Sequence, residues 1–113
     1  MLITLLDDNV APRFDLATDV LIAEIDEAGA LVDQNELVLE KTSGENLCHM
    51  VVENRVGHVI CSGIEEELYR YLQWKNVEVY DSVIGSAETA LARFAAGRLS
   101  PGDMLVRMDE DEQ

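Results

Sequence analysis

The chain has 113 residues, enough for one domain, and its 48% hydrophobic content is enough for a single core. Its 23 acidic residues outnumber the 8 basic ones, and the net charge of −15 argues against nucleic acid and anionic membrane surfaces as partners, because both attract clustered Lys and Arg. No apolar run is long enough to cross a bilayer, and the opening MLITLLDDNV lacks the basic start of a signal peptide, so we expect a cytoplasmic protein.

The first third of the chain predicts three β-strands. Leu2–Leu6 is a short apolar run with β-branched members, which is typical of a buried strand. Residues 20–25 form a second such run, and residues 36–40 alternate acidic and apolar side chains, which indicates a third, less buried strand. Because the links between the three are short, we expect them to pair antiparallel as a meander.

Helices and strands are predicted to alternate in the rest of the chain, where apolar residues recur at helical spacing in three segments. The first helix is predicted to begin at Ser43, with Asn46 as the competing N-cap, and to run through Arg55 to a stop at Gly57. The remaining predicted elements are a strand over residues 58–61, a helix over residues 64–72, a strand over residues 77–80 and a helix between Ser86 and Gly97.

The resulting order is β-β-β-α-β-α-β-α, in a single α/β domain over residues 1–107. Strands four and five are joined through a helix, so we expect them to be parallel, with a right-handed crossover, in a five-stranded mixed sheet. Residues 108–113 (MDEDEQ) offer too little apolar surface to pack, and we expect them to form an acidic, disordered tail.

Three stretches, taken in order, resemble one family. They are VAPRFD at residues 10–15, HVICSGI at residues 58–64, and the segment from VEVY at residues 77–80 through Gly85 to ALARFAAGRL at residues 90–99. In that order and at that spacing they are similar to the dinitrogenase iron–molybdenum cofactor biosynthesis family, over residues 1–99. The resemblance implies a ribonuclease H-like fold. It also implies a domain that binds or carries a metal–sulfur cluster, such as iron–molybdenum cofactor, its precursor or a related molybdenum species. We expect its partner to be an acceptor or donor protein of cofactor assembly, or another protein.

The chain departs from the family pattern at the loop after its first strand. Cofactor-carrying relatives often have a His-Phe-Gly motif there, whereas this chain has Arg13, Phe14 and Asp15. A guanidinium, which cannot ligate a metal, therefore stands in place of the imidazole. Many relatives also have a glycine-rich turn where this chain has Cys61, Ser62 and Gly63.

We expect one binding pocket where these two loops meet at the rim of the sheet, because ligands of open α/β sheets bind at the carboxyl ends of parallel strands. Cys61 is the candidate metal ligand, and a helix N-terminus beside it would favour its thiolate; the alternative is a buried core residue. Arg13 would hold an anionic cluster, or would pair with Asp15 instead. The other expected cofactor-binding residues are Phe14, Asp15, Ser62 and Gly63.

No catalytic constellation is recognisable, so we expect a binding domain and not an enzyme. Asp7, Asp8 and Asp15 raise the question of a magnesium-dependent nuclease, but such a site needs a carboxylate within the first strand, and Leu2–Leu6 has none. Two interpretations stay open at this point: a carrier of a metal–sulfur species, and a metal-free protein-interaction or regulatory module on the same fold.

Overall fold

A mixed β-sheet with helices on both faces is formed by residues 1–40 and 43–105, the parts of the chain that the computed structural model describes. The tail expected at residues 108–113 lies outside these ranges. The strands are β1 (Leu2–Leu6), β2 (Asn9–Val10), β3 (Asp19–Ile25), β4 (Leu31–Val38), β5 (His58–Ile60), β6 (Glu78–Tyr80), β7 (Ile84–Gly85) and β8 (Met104–Leu105). The helices are α1 (Gly44–Glu53), α2 (Glu66–Trp74) and α3 (Ala87–Ala95), and a 3₁₀ turn spans Phe14–Leu16.

The main sheet has the strand order β4-β3-β1-β5-β6, with β2 paired to β1. β3 pairs antiparallel with β1 on one side and with β4 on the other, which confirms the predicted meander. β5 and β6 pair in parallel, as expected from the helix that joins them, and β5 also pairs in parallel with β1. The protein is therefore a single mixed α/β domain, as predicted.

The predicted element order is incomplete, because β2 and the separate two-stranded sheet of β7 and β8 were not foreseen. These strands have only two residues each, which is too short for a periodic pattern to show. The third predicted strand also differs: it occupies Leu31–Val38 instead of residues 36–40, and all eight of its residues are exposed at the edge of the sheet.

Helix boundaries were predicted better at the starts than at the stops. Ser43, and not Asn46, caps α1, since its hydroxyl accepts a hydrogen bond from the Asn46 N–H at 3.4 Å. The stop expected at Gly57 is wrong: α1 ends at Glu53, and Arg55 takes the left-handed conformation with φ 55°. The second helix begins two residues after the predicted position 64, at Glu66.

Two apolar layers, one on each face of the sheet, form the core. Leu2 of β1 packs in the layer beneath α1 and α2, while its neighbour Ile3 packs in the layer beneath α3. This division follows from the strand period of two, which sends successive side chains to opposite faces. None of the helices in residues 1–40 and 43–105 is long and apolar enough to span a membrane.

Candidate functional site

The two loops expected to meet do lie side by side at the carboxyl ends of β1 and β5. Arg13 and Gly63 form a parallel β-bridge between them. The Gly63 N–H donates to the carbonyl oxygen of Pro12 at 2.8 Å, and the Phe14 N–H donates to the carbonyl oxygen of Gly63 at 2.7 Å. The loops are therefore joined through their backbones.

A third segment extends this pairing on the other side. The Ser82 N–H donates to the carbonyl oxygen of Ser62 at 3.0 Å, and the Val83 N–H donates to that of Cys61 at 3.0 Å. Residues 12–14, 61–63 and 82–83 thus form one hydrogen-bonded array, which we call the loop ladder. Sequence reasoning did not foresee the third segment.

The loop ladder fills the space between the two loops with backbone hydrogen bonds. Five surface cavities lie elsewhere on residues 1–40 and 43–105, and Arg13, Cys61 and Gly63 line none of these five. The N–H groups of Phe14 and Gly63, which could otherwise donate to a ligand, are used within the ladder. A ligand at this edge would therefore bind on top of the ladder, or would have to open it.

Arg13 and Asp15 form the ion pair that the sequence left as one of two alternatives. Nε and Nη2 of Arg13 donate to the two carboxylate oxygens of Asp15, each at 3.1 Å. The Arg13 side chain is 56% exposed, compared with 27% for Asp15. A guanidinium has further N–H donors beyond the two that this pair uses, so Arg13 can still donate to an anion from solvent.

Phe14 anchors the first loop. Its side chain is fully buried and belongs to the apolar layer beneath α1 and α2. The 3₁₀ turn that it begins is closed by the Leu16 N–H, which donates to the carbonyl oxygen of Arg13 at 3.1 Å. Phe14 therefore fixes the position of its neighbours Arg13 and Asp15 and has no surface to offer a ligand.

Cys61 is fully buried in the same apolar layer. The pKa of the Cys61 thiol is raised to about 12. Burial is the largest cause, followed by the negative charge of Asp81 and by the nearby Cys48. The lowering expected from a helix N-terminus is thus outweighed by desolvation. Burial and Glu45 likewise raise the pKa of the Cys48 thiol to about 11. At neutral pH both cysteines are protonated, and both are free of a disulfide.

The structure adds Thr4 to this edge of the sheet. β1 and β5 pair with Leu2 beside Val59 and Ile3 beside Ile60, and Thr4 and Cys61 are the residues that follow the last of these pairs. Thr4 is fully buried, and its hydroxyl has no hydrogen-bond partner among residues 1–40 and 43–105. A threonine within an otherwise apolar strand was the signal in the sequence.

Two residues at this edge have a strained backbone. Asp7 and Ser82, which follow β1 and β6, have φ values of 57° and 59°, in the left-handed region that non-glycine residues rarely adopt. Within the described ranges no three His, Cys, Asp or Glu side chains are close enough together to hold a metal ion. The edge as it stands therefore offers one exposed cation and no ligand set.

Solved structures share this fold. The crystal structure of PH0822 has a TM-score of 0.79 at 17% identity, covering 99% of this chain and 97% of that one. A proposed dinitrogenase from Methanocaldococcus jannaschii has a TM-score of 0.70 at 24% identity, covering 88% and 89% of the two chains. An NMR structure of a proposed NifB protein from Thermotoga, of the DUF35 family, has a TM-score of 0.65 at 20% identity, covering 88% and 86%.

At these identities the structural likeness shows a common fold and nothing about ligands. No curated protein matches the chain in sequence. The family model for dinitrogenase iron-molybdenum cofactor matches residues 3–97, which is most of the chain and includes both loops of the candidate site. The chain therefore belongs to the dinitrogenase iron-molybdenum cofactor family.

Proposed function

We propose that this domain binds or carries a metal–sulfur species without catalysing a reaction. The cargo would be iron–molybdenum cofactor, its precursor or a related molybdenum species, taken from a donor protein or passed to an acceptor protein of cofactor assembly. The observation that carries the proposal is the family match over residues 3–97. The meeting of the two loops at the carboxyl edge of the sheet supports it, because that edge is where such folds bind ligands.

Arg13 is the residue that this proposal depends on most. Its exposed guanidinium keeps N–H donors beyond the two that Asp15 accepts, so it can donate charge-assisted hydrogen bonds to an anionic cluster. Asp15 orients its guanidinium, and Phe14 fixes the loop in the core. Ser62 is half-buried and Gly63 exposed, so their turn completes the surface on which the cargo would rest.

Cys61 would act as a metal ligand only after a change in the protein. With a pKa of about 12, its thiol keeps its proton at pH 7, so an incoming metal would have to displace that proton. Burial beneath the loop ladder also denies access. We therefore propose that the cargo first binds to Arg13, and that Cys61 ligates metal only if the ladder opens.

Anaerobic reconstitution tests this function. The purified protein is incubated with isolated iron–molybdenum cofactor, or with tetrathiomolybdate and Cu(I), then desalted and analysed for metal and visible absorbance. We expect a chromophore to co-elute with the protein, and Arg13→Gln to reduce the bound metal by about tenfold, as for loss of a charge-assisted contact. Arg98→Gln is the matched control, since Arg98 is also exposed and lies beyond the far end of α3. A wild-type protein that elutes without chromophore or metal rules the proposal out.

The second candidate function is a metal-free protein-interaction or regulatory module. The closed loop ladder and the protonated, buried Cys61 favour it, as does the net charge of −15. A pull-down from the native host at low and high salt distinguishes the two, because a partner held by surface charge is released by salt. A protein that captures such a partner but acquires no chromophore supports this second function.

We also infer the finer classification and the cellular setting. A ribonuclease H-like fold is supported by the path β4-β3-β1-β5-β6, in which β3 alone runs against the other four strands. A domain spanning residues 1–107 and a cytoplasmic location stay predictions from composition and patterning.

A further inference from the structure

An open groove lies on the face of the sheet opposite Cys61. It runs between Leu31 and Glu36 of β4 on one side and Glu88 and Leu91 of α3 on the other, and we call it the α3 groove. Its volume is about 830 Å³. Buried residues of α3 pack with residues of β1, β2 and β5 in the apolar layer on this face, while all eight residues of β4 are exposed.

The rim of the α3 groove is acidic. Asp7, Asp8, Glu36 and Glu88 line it and are all exposed, and no Lys or Arg is among its lining residues. None of these four carboxylates forms an ion pair with a basic side chain of the described ranges. The rim therefore carries four negative charges without a counter-charge on the described part of the protein.

The floor of the α3 groove is apolar. Leu21 and Leu91 are half-buried there, and Leu31 is 47% exposed. Leu21 lies directly opposite Glu36 in the ladder between β3 and β4, so an apolar side chain and a carboxylate stand side by side on this face. A partner that covers the apolar part of such a surface and neutralises its rim binds with a favourable change in free energy.

We propose that the α3 groove docks a cationic, amphipathic segment of a partner protein. Apolar side chains of that segment would cover the three leucines, and its Lys or Arg side chains would reach the rim carboxylates. The carboxylates are spread out, since no three acidic, His or Cys side chains of the described ranges could hold one metal ion, so spaced cationic side chains match them better than a single ion does. A second copy of the chain, with net charge −15, would be repelled.

This docking proposal does not rest on the proposed cargo. Leu5 and Ala87 line the α3 groove and belong to the apolar layer beneath α3, whereas Cys61 and Phe14 belong to the opposite layer. A protein that fails to bind any metal–sulfur species can still bind a segment in this groove, and the two tests are separate.

The test uses a labelled synthetic peptide of Lys and Leu in an amphipathic helical pattern, with a scrambled peptide of the same composition as its control. Binding to the full chain is measured by fluorescence anisotropy and mapped by amide shifts in ¹⁵N NMR spectra. We expect the patterned peptide to bind more tightly than the scrambled one and to shift the amides of Leu21, Glu36 and Glu88. Shifts scattered over the whole acidic surface would overturn the proposal.

Two variants of equal charge sharpen the result. The test variant combines three substitutions at the rim of the α3 groove: Asp8→Asn, Glu36→Gln and Glu88→Gln. The control variant removes three exposed acids elsewhere: Glu27→Gln, Glu53→Gln and Glu67→Gln. We expect the affinity for the patterned peptide to fall about tenfold more in the test variant than in the control. Equal effects of the two triple variants would mean that net charge alone attracts the peptide, and the proposal would be wrong.

A third variant tests the apolar contribution. Leu31→Ser keeps the charge and alters an exposed edge residue, and it should weaken the patterned peptide several-fold. Unchanged affinity would contradict an apolar contact at Leu31. If sedimentation instead shows a dimer of the wild-type chain that Leu31→Ser dissociates, the groove serves self-association and the proposal fails.

Discussion

The N–H of Gly63 donates a 2.8 Å hydrogen bond to the carbonyl oxygen of Pro12, the same oxygen that a Cβ at Gly63 would approach to 3.0 Å. The Pro12 oxygen cannot move away from such a Cβ without lengthening the hydrogen bond that joins the two loops. Glycine at this position therefore allows the backbones of the two loops to pair as closely as they do. Gly63 does not have a positive φ, so glycine is required here because there is no room for a Cβ and not because of the backbone conformation.

Replacing Gly63 with alanine should destabilise the protein. We expect Gly63→Ala to lower the free energy of unfolding by about 1 kcal/mol, measured by urea denaturation, because the new methyl group strains the loop ladder. Gly57→Ala is the matched control: a Cβ there meets no atom within 4 Å, so we expect no loss, or a gain of up to about 1 kcal/mol from the stiffer unfolded chain. Equal losses in both variants would contradict a special role for Gly63.

Alkaline pH should weaken the fold through Cys61. Its thiol has a pKa of about 12 in the native protein, raised from an ordinary value of 9.0, so between these values the unfolded thiol loses its proton while the native thiol keeps it. The native state then binds more protons than the unfolded state, and the free energy of unfolding falls as pH rises from about 9, by at most about 1.4 kcal/mol per pH unit for one such group.

Urea denaturation of Cys61→Ala from pH 8 to 11 tests this linkage. The variant should be less stable at pH 8, because it leaves a small cavity, but its stability should fall less steeply above pH 9 than that of the wild type. Tyr80→Phe is a useful comparison, since the pKa of the Tyr80 phenol is also raised, to about 12 from 10.0. The contribution of Tyr80 to the free energy of unfolding should therefore change only above pH 10. A slope for Cys61→Ala identical to the wild type would show that the thiol does not titrate in this way.

Much of the fold could be predicted because burial leaves a pattern in the sequence. The first strand, Leu2–Leu6, has the predicted bounds, since four of its five residues are buried and all but one are aliphatic. β4 was only partly predicted, because all of its residues are exposed and no side of it has to be apolar. An edge strand of this kind is fixed by its hydrogen bonds to β3, which sequence periodicity does not reveal.

The position of the candidate site was predictable from the sequence, but its backbone hydrogen bonds and the burial of its thiol were not. Topology brings the ends of parallel strands to one edge, so the meeting of the Arg13 and Gly63 loops followed from the strand order. The third segment of the loop ladder was not predictable, because Ser82, whose N–H donates to the carbonyl oxygen of Ser62, has a left-handed conformation that no motif signals. Burial of the Cys61 thiol could likewise be stated only as an alternative before the packing was known.

Thr4 should be replaceable by valine with a gain in stability. Valine has nearly the same shape as threonine, and the Thr4 hydroxyl is buried without a hydrogen-bond partner among the described residues, so its removal eliminates a desolvation cost. We expect Thr4→Val to raise the free energy of unfolding by about 1 kcal/mol.

Thr18→Val is the comparison for this prediction, because the exposed Thr18 hydroxyl donates to the Asp19 carboxylate at 2.7 Å. It should leave stability unchanged or lower it slightly, by less than about 0.5 kcal/mol, as is usual at the surface. A loss of stability in Thr4→Val would show that the Thr4 hydroxyl does have a favourable interaction in the folded protein.

The three helices of the described residues end in the same backbone motif, with a left-handed residue just after the helix: Arg55 after α1, Asn76 after α2 and Gly97 after α3. After α1, the Val56 N–H donates to the carbonyl oxygen of Val51 at 2.9 Å, which is the long hydrogen bond of the Schellman motif. Only glycine adopts this conformation without cost, and asparagine tolerates it. The sequence therefore revealed the stop at Gly97 and concealed the one at Arg55.

Arg55 should consequently be the least favourable of the three stops. We expect Arg55→Gly to be more stable to urea than Arg55→Ala by about 1 kcal/mol, because both variants lose the same charge and only alanine keeps the Cβ that the left-handed conformation opposes. Comparing the two variants with each other, and not with the wild type, removes any contribution of the arginine charge at the end of α1. Equal stabilities would mean that residue 55 changes conformation in the alanine variant, and amide exchange at Val56, whose N–H closes the motif, would then be faster in that variant.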